Sequence, residues 1–165
     1  MVKKNIMDLD IVQIVEPCNP DLKAVDCSTN VVGALFLFRK NDHALLLQLR
    51  DEKPNLRHAG LWVPPGGHSE PEETMEECTR REFYEETNYY CEHMNWFFAL
   101  EVRHPQWSTF ILGVFWSHYD EKQQIKCLEG QALKFIPRNE SNCLQMPVFL
   151  FSVWDKILTT ISIKT

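Results

Sequence analysis

The chain has six cysteines but no Cys-x-x-Cys pair, and none of its six histidines pair at a metal-ligand spacing. A structural zinc site is therefore not expected. No apolar run approaches the ~20 residues needed to cross a bilayer, so no membrane partner is expected. The opening MVKKNIMDLDIVQIVE lacks the unbroken apolar stretch and cleavage site of a secretory leader, which points to a cytoplasmic protein with reduced thiols. Positive charge is short as well. With 17 Lys and Arg against 23 Asp and Glu, the net charge of -6 disfavours a nucleic-acid polymer as partner, since that binding needs clustered cations. An acidic protein that handles phosphates needs metal ions to do so. Internal repeats and low-complexity segments are absent too.

What is there fits one folded domain. A chain of 165 residues, 44% hydrophobic and 24% charged, can bury a sizeable core. Residues 1–29 read as an N-terminal extension and 30–165 as the domain. In the extension, Ile11, Val12, Ile14 and Val15 suit a short strand, and Pro17, Pro20, Asp21, Asp26 and Ser28 punctuate the stretch after it. Such an extension packs either on its own domain or on a second subunit, so monomer and homodimer both stay open.

Two nearly continuous apolar runs, NVVGALFLFR from Asn30 and HALLLQLR from His43, read as a buried hairpin across Lys40, Asn41 and Asp42. A polar loop from Asp51 to Gly60 comes next, and Leu61-Trp62-Val63 leads into a Pro-Pro-Gly-Gly turn, with Trp62 read as core. Further strands are expected at Asn95 to Val102, Ser108 to Tyr119 and Ala132 to Ile136. Arg103 to Trp107 forms a connecting loop, and a buried helix starts at Pro147. Trp107 could stack on a nucleobase or serve as a packing lid.

The stretch PPGGHSEPEETMEECTRREFYEETNYY, from Pro64, organises the rest. Its helix start has two readings: Ser69 as cap with Glu72 reaching back, or Pro71 as first helical residue. At ~100° per residue, Glu82, Glu85 and Glu86 share one face, the same side that carries Met75, Cys78 and Thr79. Acids so crowded and drawn inward destabilise a helix unless something offsets their repulsion. A hard divalent cation does so, and Mg²⁺ suits carboxylates, retained waters and substrate phosphates. A solvated acidic helix tied down by Arg80 and Arg81 is the plainer alternative.

Gly67, five residues, Glu73, seven residues, then Arg81-Glu82-Phe83-Tyr84-Glu85-Glu86 resembles the Nudix box, Gly-x5-Glu-x7-Arg-Glu-U-x-Glu-Glu-x-Gly-U with U apolar. Asn88 stands where that family has Gly, and Asn tolerates the left-handed helix end that Gly serves there. The resemblance implies an α/β fold, an α/β/α sandwich with a mixed sheet. It also implies metal ligands at Glu82, Glu85, Glu86 and the Gly66 carbonyl, with Arg81 orienting the cluster through Glu73. Glu82 or a neighbouring acid would be the general base, and their coupled titrations leave it unassigned. Glu129-Gly130-Gln131 is similar to a triplet of the MutT branch, which makes Glu129 a further ligand or base; Gln145, before Met146-Pro147, is a candidate purine contact. Arg50 is a phosphate or base contact, or a solvent-facing strand end. The implied activity is Mg²⁺-dependent hydrolysis of a nucleoside triphosphate, such as an oxidised purine nucleotide, with Mn²⁺ as a substitute. Other nucleoside diphosphate derivatives and a non-catalytic nucleotide-binding module are the alternatives.

Overall fold

The computed structural model describes residues 9–16, 18–23 and 30–164, which leaves the expectations for Pro17, Asp26 and Ser28 outside it. Eight strands make one mixed sheet in the order β1-β6-β7-β2-β3-β4, with β5 paired to β2 and β8 to β3. They are β1 (Ile11–Ile14), β2 (Asn30–Phe38), β3 (Leu45–Leu49), β4 (Trp62–Val63), β5 (Gly66–His68), β6 (Asn95–His104), β7 (Trp107–His118) and β8 (Ala132–Ile136). Among the described residues two α-helices, α1 (Met75–Thr87) and α2 (Val148–Lys164), complete the layers.

β2 is apolar along most of its length because both of its faces are covered. Val31, Leu35 and Leu37 point into the cluster that holds Met75 and Phe83 of α1. Ala34, Phe36 and Phe38 point into the one that holds Leu150, Val153, Trp154, Ile157 and Ile161 of α2. One helix therefore lies on each face, which is the α/β/α sandwich. β2 runs parallel to β7 and antiparallel to β5, while its pairing with β3 is confined to the turn at Phe38 and Leu45. Arg39 and Asp42 brace that turn with paired hydrogen bonds of 3.0 and 2.6 Å.

The helix start differs from both sequence readings. Thr74 caps α1: its hydroxyl accepts from the Glu77 N–H at 3.1 Å, and the Glu77 carboxylate accepts from the Thr74 N–H at 2.8 Å. Ser69 and Glu70 belong to the turn before it, where the Ser69 hydroxyl donates to the Glu73 carbonyl and the Glu70 N–H donates to the Glu73 carboxylate. Glu72 has a φ of 67°, outside any helix, so the reciprocal Thr-x-x-Glu box wins over the earlier candidates. At the other end Asn88 takes the left-handed conformation, φ 60° and ψ 13°, and its N–H donates to the Tyr84 carbonyl at 2.8 Å.

Trp62 is only partly buried and packs at the edge of the α2 cluster rather than inside it. β6 and β7 run on past their expected ends, so Trp107 opens a strand and the connection shrinks to Pro105 and Gln106. β1 adds to the sheet edge, with Ile11 opposite Arg103 and Ile14 opposite Leu100. Farther along, the Leu22 and Pro20 carbonyls accept from the Met75 and Glu76 N–H groups, which gives the first turn of α1 partners that it cannot find within the helix.

Candidate active site

β5 and α1 are pressed together by glycine. A Cβ on Gly67 would run into the Glu82 carboxylate, and one on Gly66 would strike the backbone of Gly33 and Ala34. Both residues are thus held to Gly by close approach, and that approach delivers the acids of α1 to the rim of the sheet.

A cleft of about 510 Å³ opens there, lined by Arg50, Arg57, His58, Gly66, Gly67, His68, Glu82, Glu86, Trp107, Phe110 and Glu129, among others. Glu86 is the most enclosed of its acids, only 3% exposed, and its Oε2 accepts from the Gly66 N–H at 3.1 Å. Burial, and then the charge of Glu129, push its carboxyl up to about 8, against the opposing pull of the Gly66 N–H. Glu129 is brought there by the segment that crosses the end of α1, where the Leu128 N–H donates to the Glu86 carbonyl at 3.0 Å. Buried Gln48 holds the same segment by donating to the Glu129 carbonyl, and the Gln131 side chain donates to the Arg50 carbonyl.

Arg81 sits at the hub of the remaining acids. It donates to both Glu73 oxygens at 2.7 and 3.0 Å, to Glu82 at 2.8 Å, to Glu85 at 3.3 Å and to the His68 carbonyl. Its hydrogen bonds, led by the one to Glu73, hold the guanidinium above its usual range, and Glu73 in turn lies below the usual carboxylate range chiefly through Arg81.

The predicted residues therefore separate. Glu82, Glu86, Gly66, Glu129, Arg50 and Trp107 line the cleft. Glu85, with a side chain 56% exposed, turns outward onto Arg81 and is not part of that lining. Gln145 is exposed at the approach to α2, where its carbonyl accepts from the Trp62 N–H, and it too lies outside the lining. Arg57 and His58 join the lining although the sequence presents them only as polar residues of a loop. An Arg-His pair so close before the Gly-Gly turn is the signal that could have found them.

The donor set fits a hard divalent ion: all its side-chain donors are oxygens, and Glu86 carries an electrostatic penalty that nearby positive charge would remove. Among the described residues no three His, Cys, Asp or Glu side chains are gathered closely enough to hold an ion. Arg81 is the reason on the α1 side, since it keeps Glu82 and Glu85 paired to itself.

The NUDIX domain matches the chain over residues 28–148. The chain belongs to the NUDIX family. Among its relatives, human 8-oxo-dGDP phosphatase NUDT18 (Homo sapiens) is 38% identical over 81 residues, which are 49% of this chain and 23% of that protein. The bovine m7GpppN-mRNA hydrolase NUDT17 (Bos taurus) is 32% identical over 91 residues, 55% of this chain and 26% of that protein. The chain thus spans about a quarter of the length of these relatives. The MutT NUDIX hydrolase from Burkholderia pseudomallei shares the fold with a TM-score of 0.65 at 17% identity, over 78% of this chain and 96% of that one. The stretch whose spacing resembles the family's box lies on β5, the turn after it and α1.

Proposed function

We propose that this chain is a Mg²⁺-dependent pyrophosphohydrolase that cleaves a nucleoside triphosphate, with oxidised purine nucleotides as the leading candidates, to the monophosphate and pyrophosphate. The observation that carries the reading is the position of Glu86: buried, hooked to the Gly66 N–H, and repelled by Glu129 at the wall of a nucleotide-sized cleft. A protein has little reason to bury a carboxylate beside another unless a cation joins them.

Glu82, Glu86, Glu129 and the Gly66 carbonyl would hold Mg²⁺, with Glu85 available from the solvent side. When bound, the ion neutralises phosphate oxygens and activates water for in-line attack. The chain's own residues supply the rest. Arg81 fixes Glu82 and Glu73 through its fork, which orients the acids before substrate arrives. Water attacks a phosphorus atom, the bond from that phosphorus to the bridging oxygen breaks, and the proton passes to a carboxylate of the cluster. Arg50 faces the leaving charge from just past β3, and the planar Trp107 offers a face to the base.

A second reading, hydrolysis of a different nucleoside diphosphate derivative, draws on the relatives: one is named for 8-oxo-dGDP and the other for m7GpppN-mRNA. Incubation with Mg²⁺ and a panel of nucleotides, followed by mass spectrometry of the products, tests both. Monophosphate with pyrophosphate supports the first reading. Monophosphate with inorganic phosphate, or with a second nucleotide or sugar phosphate, supports the second, and no turnover of any member overturns both.

A further inference from the structure

The residue just ahead of β1 is bonded to two residues of the cleft wall in a role that the chemistry above leaves unused. The Asp10 side chain is only 2% exposed; its Oδ1 accepts from Arg57 Nη2 at 2.8 Å and its Oδ2 lies 3.0 Å from His58 Nε2. Arg57 also donates from Nη1 to the Ser108 carbonyl at 2.9 Å, and its guanidinium carbon lies 4.5 Å from the centre of the Phe110 ring. These hydrogen-bond contacts span 47, 48 and 51 residues of sequence and join three separate stretches: the residue before β1, the loop after β3, and β7.

A buried carboxylate is tolerated only with partners, and here both partners sit in the wall of the cleft. His58 has a φ of 56°, a backbone state uncommon for a residue with a side chain, so the surrounding contacts must hold it there. Because β1 is registered against β6, Asp10 is an anchored point rather than a loose end. The pairing also changes what Arg57 can offer. With its charge offset by Asp10 and its guanidinium carbon over the Phe110 ring, it is a poor clamp for phosphate and a good flat surface for a neutral ring.

We infer that Asp10 is a positioning residue that fixes Arg57 against Phe110 as a platform for the nucleobase, so that the segment ahead of the domain helps select the substrate. This rests on reading the cleft as a nucleotide site. Arg57, backed by Phe110, touches the base, Asp10 acts through Arg57, and Arg50 with the acidic cluster attends to the phosphates.

The test separates base from phosphate. Full-length wild type and Asp10→Ala, each confirmed folded by circular dichroism and thermal unfolding, are titrated in Mg²⁺ with a non-hydrolysable purine nucleoside triphosphate and with inorganic tripolyphosphate. Asp10→Ala should weaken nucleotide binding about tenfold, the scale of one lost stacking contact, and leave tripolyphosphate within about twofold. In turnover, KM should rise with kcat nearly unchanged. Equal weakening toward both ligands, or toward neither, overturns the platform. Should Asp10→Ala not fold, Asp10→Asn, which keeps the volume and one acceptor, is put through the same comparison, and each result counts in the same direction. If wild type binds the nucleotide no better than tripolyphosphate, the platform is also overturned. If wild type turns over no nucleotide at all, the proposed function falls as well, which a failure confined to Asp10→Ala would leave standing.

Discussion

Glu86 Oε2 lies 3.1 Å from the amide nitrogen of Gly66, so the best-buried acid of the helix is tied to the backbone of the strand that faces it. The tie fixes the distance between α1 and β5 and holds one carboxylate oxygen in place. Burial and the charge of Glu129 push its titration up, while the Gly66 N–H and the charge of Arg50 pull it down.

That opposition sets a pH dependence. Burial raises the Glu86 carboxyl from 4.5 to about 8, so between those values the folded protein holds a proton that the unfolded chain has released. Stability of the metal-free protein is then highest at the acid end of that window and falls as pH rises toward 8, by roughly a few kcal/mol at most. Thermal unfolding from pH 5 to 8 in EDTA should show this decline. Glu86→Gln should flatten it, and adding Mg²⁺ should restore stability mainly at the alkaline end.

Asp10 gives the opposite sign. Burial alone would raise its pKa, but the hydrogen bonds from His58 and Arg57 outweigh it and leave the carboxyl below its usual range. Its contribution is present above the unfolded value and is lost as pH falls through the folded one. The loss of stability on acidification below about pH 4 should be shallower for Asp10→Asn than for wild type, as unfolding curves at successive pH values can show.

Gly67→Ala should damage function more than folding. The added Cβ collides with the Glu82 side chain, which must leave its Arg81 pairing to make room, whereas its nearest neighbours include no backbone atom. Misplacing a catalytic group by about 1 Å can lower kcat roughly 100-fold, and a drop of that order with a nearly unchanged melting temperature is expected.

Asn88 bears on stability alone. In its left-handed conformation a side chain without Asn's tolerance costs about 1 kcal/mol, so Asn88→Ala should lower the melting temperature. Asn88→Gly should leave it unchanged or raise it slightly, as chemical denaturation can verify.

The site was legible in the sequence wherever function depends on local spacing. The box placed Glu82 and Glu86 on one helix beside a glycine turn, and the alternation of β2 between α1 and α2 follows from its unbroken apolar run. Spacing said less about direction. Glu85 is one position from Glu86, yet it turns to solvent because Arg81 draws it outward. The start of α1 differs because three candidate start residues lie within a few positions, and the choice falls to Thr74 through its exchange with Glu77 and the Met75 N–H bond to the Leu22 carbonyl of the extension. Nothing local announced Asp10 with Arg57 and His58, since a pairing across that separation exists only once the sheet has formed.

The most direct test of a cation held between Glu82 and Glu86 is Mn²⁺ binding measured by electron paramagnetic resonance, with and without a non-hydrolysable nucleoside triphosphate, in wild type, Glu82→Gln and Glu86→Gln. Wild type should hold the ion and grip it more tightly with the nucleotide present, and affinity should be at least about tenfold weaker in each folded variant. Equal Mn²⁺ affinity in all three proteins would contradict the assignment.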